Sequence, residues 1–443
     1  MLFLSSAEGP FPVGATTFVA SVPSPHQVGS IRLQSYNDPA LFLSEVAFTA
    51  YYPADISKST RKGLDWAFAP FFTGLCISFW LLWPVFYLFG ALIRVPVYPN
   101  APLARPRQES YSEDEKEAGQ WPLVIFSHGL GGTRTAYSQI CSRLASSGRV
   151  VLAMEHRDGT GSACITRLQP IYYYKDYDIV IDDTRKSEES VAFPLRADQL
   201  EFRREEIYAA YRSFCNFLNK DSASELDTID NQPIDRTSWT YVNPASNKGP
   251  ICFDKNVTLA GHSFGGCTVL TILSSTPPLE YPHIPVSHAL IFDPWLEPLP
   301  LPEPIPIRLL QNPAQLITLY DGRLPQMLVI NSEVFTLWKD HYTRVKRIVK
   351  AWEPEGRRLL TLGKLGSKHE VFSDFPSLPI IGSSAAKTNM KIISRLSIAF
   401  LNDKLEEALI SISTREMEIE VVGKRKDGKP KRKLIGNVGD VIV

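Results

Sequence analysis

The chain has 443 residues, 44% hydrophobic and 21% charged, with 47 lysines and arginines against 47 aspartates and glutamates. That much apolar material supports a large core and excludes a wholly disordered chain. The neutral balance argues against nucleic acid as a partner. Cys76, Cys141, Cys164, Cys215, Cys252 and Cys267 form no CxxC pair, so zinc-ribbon ligation is excluded and reduced core thiols are expected.

In chain order, the opening MLFLSSAEGPFPVG has no basic n-region and too short an apolar run for a signal peptide. An intracellular protein, cytoplasmic or peripherally membrane-associated, is expected rather than one secreted by a classical signal. A strand is predicted at 41–52. The stretch from Trp66 to Ile93 then carries no charge. At about 1.5 Å per residue it is long enough to cross a bilayer core of roughly 30 Å. Topology opposes a single crossing, because a strand precedes the stretch and another follows it, and two strands of one sheet lie on one side of a membrane. Two crossings need about 40 residues, and Pro70 and Pro84 interrupt any long helix. The region 66–97 is therefore predicted to be an apolar insertion of two short helices lying on, or dipping into, one leaflet, ahead of the alternatives of a single span and a fully buried core element.

Further on, 109–117 reads as an acidic loop. Buried strands are predicted at 122–127, 149–156, 256–260, 288–292, 326–330 and 358–362, each dense in aliphatic residues as parallel strands are. Between them, 195–218 reads as a helix. Leu200, Ile207, Tyr211, Phe214 and Leu218 lie on one face, and Arg203, Arg204, Glu205 and Glu206 are expected on the solvent face. The polar stretch 221–250 reads as a surface insertion. Alternation of strands and helices predicts an α/β fold with a mainly parallel sheet covered on both faces. Residues 1–410 are expected to form one domain. A tail, 411–443, contains GKRKDGKPKRK, in which seven of eleven residues are basic; it reads as a solvated segment, or as one drawn to anionic lipid or to nuclear import.

Chemistry concentrates in KNVTLAGHSFGGCTVL. An apolar strand runs into Gly261-His262-Ser263-Phe264-Gly265, and an apolar helix follows. This is the pattern of a nucleophile elbow, where a sharp turn holds a serine in a strained conformation and the glycines admit the crossing chain. Ser263 is the expected nucleophile, and a serine needs a base oriented by a third group. The order Ser, Asp or Glu, His is the one this fold uses. Asp293, closing the strand in HALIFDPW, is favoured over Asp321, which sits in a turn-like TLYDG. His283 and His288 precede that aspartate. His341 lies in what reads as a charged surface helix, whereas His369 lies in the loop after the last strand and is the expected base. Two backbone N–H donors must hold the tetrahedral anion. Phe264, after the nucleophile, and Leu130, in the glycine-rich FSHGLGGTRTAYS, are the expected pair. His128 and His262 read as structural hydrogen-bonding residues. No metal or organic cofactor is required.

Together, FSHGLGGTRTAYS, AMEHRDGTGSAC, GHSFGG, FDPWLEPLP and KHEVFSDFP resemble, in order, the motifs of the plasma-type platelet-activating factor acetylhydrolases. GPFPVGATTF resembles that family's opening strand. The likeness spans roughly residues 9–402. It implies an α/β-hydrolase fold and calcium-independent release of short or oxidised acyl groups from the sn-2 position of phospholipids. It also implies the triad Ser263, Asp293 and His369, oxyanion donors Leu130 and Phe264, and approach to lipid through the helices of 66–93. Competing expectations are a general lipase or carboxylesterase acting on neutral esters, and a catalytically dead membrane-associated scaffold.

Overall fold

A computed structural model describes residues 1–57, 62–67, 90–106, 119–174, 178–181, 193–221, 226–244, 246–300, 324–353, 358–363, 367–380, 382–426 and 428–443. The acidic loop at 109–117, Asp321, Cys76 and most of the apolar stretch lie outside them.

The core is a twisted sheet. Its main elements are β1 (Val13–Gln27), β2 (Phe42–Pro53), β3 (Trp121–Ser127), α1 (Ser138–Ser146), β4 (Val150–Glu155), α2 (Pro194–Leu218), β5 (Val257–His262), α3 (Phe264–Leu273), β6 (Val286–Phe292), β7 (Gln326–Asn331), α4 (Lys339–Trp352), β8 (Leu359–Leu362) and α5 (Ser384–Phe400). The strands lie in the order β1-β2-β4-β3-β5-β6-β7-β8. β1, β2 and β4 are antiparallel neighbours, and every pair from β4 to β8 is parallel.

Each parallel strand reads as an unbroken apolar run because it is covered on both faces. Alternate residues feed two separate cores. Leu123 and Ile125 of β3 join Leu200 and Phe214 of α2 and Val269 of α3. Val124 and Phe126 join Ile140 and Leu144 of α1 and Met390 and Leu396 of α5. The chain passes from β3 to β4 on one side and reaches β5 on the other. Loops leaving the carboxyl ends of β3 and β5 therefore diverge, which opens the crevice where α/β sheets place their sites.

Three expectations change at this level. Arg203 and Glu206 are fully buried rather than solvent-facing, because each meets a charged or polar partner beneath α2. The stretch 221–250 is not purely a surface excursion: Asp227–Thr228 pairs with β1, and Trp239 is buried against Phe18 and Tyr52. The C-terminal segment returns to the sheet. Strands β9 (Thr414–Arg415) and β12 (Val441–Ile442) extend its edge beyond β8, and the basic run forms an antiparallel hairpin of β10 (Ile419–Lys424) and β11 (Pro430–Leu434).

At the two described ends of the apolar stretch, Leu64–Asp65 pairs antiparallel with Ile93–Val95. Both described ends thus leave the body at one place. No helix among the described residues is long and apolar enough to cross a membrane. Cys141, Cys164, Cys252 and Cys267 are buried free thiols, and Cys215 is half-buried and free.

Candidate active site

β5 delivers Ser263 to the mouth of the crevice. The residue sits at φ 56° and ψ −118°, a conformation that costs a side chain of order 1–3 kcal/mol and persists only where the surroundings impose it. Here Ser263 N–H donates to Phe292 O at 2.9 Å, while its carbonyl accepts from Cys267 N and Trp295 N, both at 3.1 Å. The flanking glycines are steric requirements. A Cβ on Gly265 would lie 2.0 Å from Ser127 O, and one on Gly261 would lie 2.3 Å from Gly265 O.

His369 comes from the short 3₁₀ turn after β8. Its Nε2 lies 2.8 Å from Ser263 Oγ, and its Nδ1 lies 3.1 Å from Asp293 Oδ2. A carboxylate can only accept, so Nδ1 carries the proton and Nε2 presents its lone pair to the serine hydroxyl. Phe335 stacks on the ring at 4.3 Å with planes 3° apart, and His262 flanks it at 4.5 Å. Ring contacts thus fix the imidazole's tilt, and Asp293 fixes its rotation.

Asp293 follows β6 directly and is fully buried. Ser332 N–H donates to its Oδ1 at 2.6 Å and Ser332 Oγ–H to its Oδ2 at 2.5 Å. Burial raises its pKa, and the hydrogen bonds from His369 and Ser332 oppose that rise. Ser332 was invisible in the sequence, since nothing marks a serine after β7 as a partner of a carboxylate on β6.

The other candidates lie apart from this relay. His341 is buried, with Nε2 2.8 Å from Pro294 O, and burial pushes its pKa down to about 4. The helix around it carries charge, but this ring faces inward. His128 Nδ1–H donates to Gly129 O at 2.8 Å, and burial pushes its pKa down to about 3. His262 Nδ1 meets Tyr137 Oη at 2.8 Å, and that hydroxyl also accepts from Gly129 N–H at 3.2 Å. Burial holds His262 well below its ordinary pKa as well. His262, Asp293 and His369 bring ligand-type atoms within 4.8 Å of one another. His369 Nδ1, both Asp293 oxygens and His262 Nδ1 are already engaged in the hydrogen bonds above.

Around the glycine-rich loop after β3, neighbouring N–H groups are spent. Gly129 N donates to Tyr137, Gly131 N to Thr160 O at 2.7 Å, and Gly132 N to Gly129 O at 3.1 Å. Among the described residues neither Leu130 N nor Phe264 N has a protein acceptor. Gly129 lets this loop touch Ser263, since a Cβ there would lie 2.9 Å from Ser263 Cβ. Phe264 opens α3, whose amino end favours a developing anion.

One buried guanidinium braces both halves of this arrangement. Arg203 Nη1 donates to His128 O at 2.7 Å and Nε to Asp158 Oδ2 at 2.7 Å; Nη2 donates to Thr160 Oγ1 at 2.5 Å. The group also lies 4.7 Å from the centre of the Phe264 ring. Alongside, Glu206 pairs with His156, whose Nε2 meets Ser127 Oγ at 2.8 Å. Removing one member of such a buried pair strands the other, at a cost of about 3–5 kcal/mol. Arg203→Met is therefore expected to lose about that much unfolding free energy in denaturant titration.

Comparison with known proteins agrees with the motifs. The family model for platelet-activating factor acetylhydrolase, isoform II, matches residues 8–409. The platelet-activating factor acetylhydrolase of Canis lupus familiaris is 27% identical over 337 residues, which is 74% of this chain and 64% of that one. The Bos taurus enzyme of the same name is 28% identical over 346 residues, with the same shares. The match thus spans about 64% of the length of these curated relatives. A ferulic acid esterase from Streptomyces cinnamoneus shares the fold, at a TM-score of 0.50 and 15% identity, over 92% of this chain and 94% of that one. With its model covering residues 8–409, the chain belongs to the platelet-activating factor acetylhydrolase, isoform II, family.

Proposed function

We propose that the protein is a serine esterase that hydrolyses the sn-2 ester of phospholipids bearing short or oxidised acyl chains. The observation that carries this reading is the continuous relay from Ser263 Oγ through His369 to Asp293, at 2.8 and 3.1 Å. Family membership and the activity named for its relatives support the substrate class.

In the proposed reaction His369 Nε2 takes the hydroxyl proton of Ser263 as Oγ attacks the ester carbonyl. Asp293 holds the imidazole in the required tautomer and stabilises the imidazolium. The N–H groups of Leu130 and Phe264 receive the tetrahedral oxyanion, a service in which one donor is worth about 10²–10³ in rate. Protonated His369 then gives its proton to the departing lysophospholipid alcohol. Water, activated by the same imidazole, releases the short acid from Ser263.

The substrate resides in lipid aggregates, and the segment 66–93 supports a peripheral membrane contact. Its described ends emerge beside the site: Trp66 Nε1–H donates to Asp374 Oδ2 at 3.1 Å, five residues beyond His369. The test is hydrolysis of phosphatidylcholines across a series of sn-2 chain lengths, with a triglyceride as competitor class. Turnover that falls as the sn-2 chain lengthens supports the reading. Turnover of the triglyceride alone, or of no sn-2 ester, contradicts it.

A further inference from the structure

The basic run takes no part in the chemistry above, yet it is built into the fold. β10 and β11 pair in register from Ile419 with Leu434 to Lys424 with Pro430. From Lys424 to Lys433 the chain carries seven cations and a single acid, Asp427. Lys424, Arg425, Lys426, Lys429, Lys431 and Arg432 are exposed. Lys424, Lys426, Lys431 and Arg432 have no ion pair among the described residues. Beside them Ile419, Val421 and Val422 are 48%, 65% and 42% exposed. A solvated hairpin gains nothing from bare aliphatic side chains, whereas a surface that lies against headgroups uses both kinds.

Its position supplies the second argument. Leu434 N–H at the hairpin's base donates to Glu333 Oε1 at 3.0 Å. Glu333 adjoins Ser332, the partner of Asp293, and its own N–H donates to Ser367 Oγ at 3.0 Å, two residues before His369. On the other side of His369, Asp374 holds Trp66, and Phe375 meets the Trp66 ring at 5.4 Å. The cationic hairpin and the neck of the apolar stretch therefore flank the same loop, on the rim that opens to Ser263.

We propose that the β10–β11 hairpin is a contact for anionic lipid that turns this rim toward the bilayer. An anionic phospholipid surface matches the charge, the adjacent aliphatic side chains and the proximity to an apolar neck; a soluble polyanion matches the charge alone. The proposal rests on the esterase reading only for the benefit gained, since lipid binding is measured without turnover.

The experiment is sedimentation of the purified full chain with large unilamellar vesicles, of phosphatidylcholine alone or with a minor fraction of phosphatidylserine. The variant combines Lys424→Gln, Lys426→Gln, Lys431→Gln and Arg432→Gln. Each basic side chain near such a surface is worth about a fivefold factor, so the variant, which lacks four, is expected to partition about 600-fold more weakly onto anionic vesicles. Partitioning onto phosphatidylcholine alone, and hydrolysis of a water-soluble short-chain ester, are expected to be unchanged. For the unmodified chain, raising salt should erase its preference for anionic vesicles, a readout independent of whether any variant folds. Equal partitioning of the unmodified chain onto neutral and anionic vesicles overturns the proposal. So does a variant that folds and binds anionic vesicles as the parent does.

Discussion

Ser263→Ala is expected to lower kcat for any ester substrate by about 10⁶-fold, with KM nearly unchanged. The hydroxyl is the one part of the residue that the proposed reaction acylates and then regenerates. The bonds that hold the elbow belong to the backbone: Ser263 N–H to Phe292 O, and the Ser263 carbonyl to Cys267 N and Trp295 N. Alanine keeps all three, so the variant should melt within a few degrees of the parent and still bind substrate. The N–H groups of Leu130 and Phe264 also remain, and a residual rate over water of about 10³–10⁴ is expected from the proposed oxyanion hole together with substrate binding. Single-turnover kinetics with a chromogenic short-chain ester separates these outcomes. A loss confined to KM would place the serine in binding rather than chemistry.

Asp293→Asn is the sharper test of geometry, with an expected fall in kcat of about 10⁴-fold. Ser332 N–H points at Oδ1 and can be satisfied only by an acceptor. The asparagine carbonyl must therefore occupy that position, which turns the amide NH₂ toward His369. The imidazole then carries its proton on Nε2, facing Ser263, and cannot accept the hydroxyl proton. Volume and hydrogen-bond count are nearly preserved, so thermal stability should change little while turnover collapses. An active Asp293→Asn enzyme would mean that His369 is oriented by Phe335 and His262 alone.

Much of this was legible in the sequence, for identifiable reasons. β3, β5, β6 and β7 are buried on both faces, and a strand in that setting has no polar side to blur its signal. The elbow could be read because Gly261 and Gly265 are demanded by backbone approaches of 2.3 and 2.0 Å. Chain order then set aside His283 and His288, while local context, a strand end for Asp293 and a loop after the last strand for His369, separated these two from Asp321 and His341. What failed was the assumption that charge marks solvent. Arg203 and Glu206 read as the outer face of α2, yet their partners, Asp158 and His156, lie 45 and 50 residues away in the chain. No local pattern encodes such a pairing. The same assumption misjudged His341, whose charged neighbours face outward while its ring turns to Pro294. In 221–250 one buried aromatic, Trp239, anchors a stretch whose average composition is polar. The C-terminal run was dominated by lysines, and the short β12 that returns it to the sheet is only Val441–Ile442.

The central claim is that Ser263 is made nucleophilic by His369, and covalent capture by a fluorophosphonate probe followed by peptide mass analysis tests it most directly. The account predicts a single modified peptide carrying the probe on Ser263, no labelling in Ser263→Ala, and labelling slowed by several orders of magnitude in a folded His369→Ala variant. Labelling of His369→Ala at the parent's rate, or a folded parent that does not react, would contradict it.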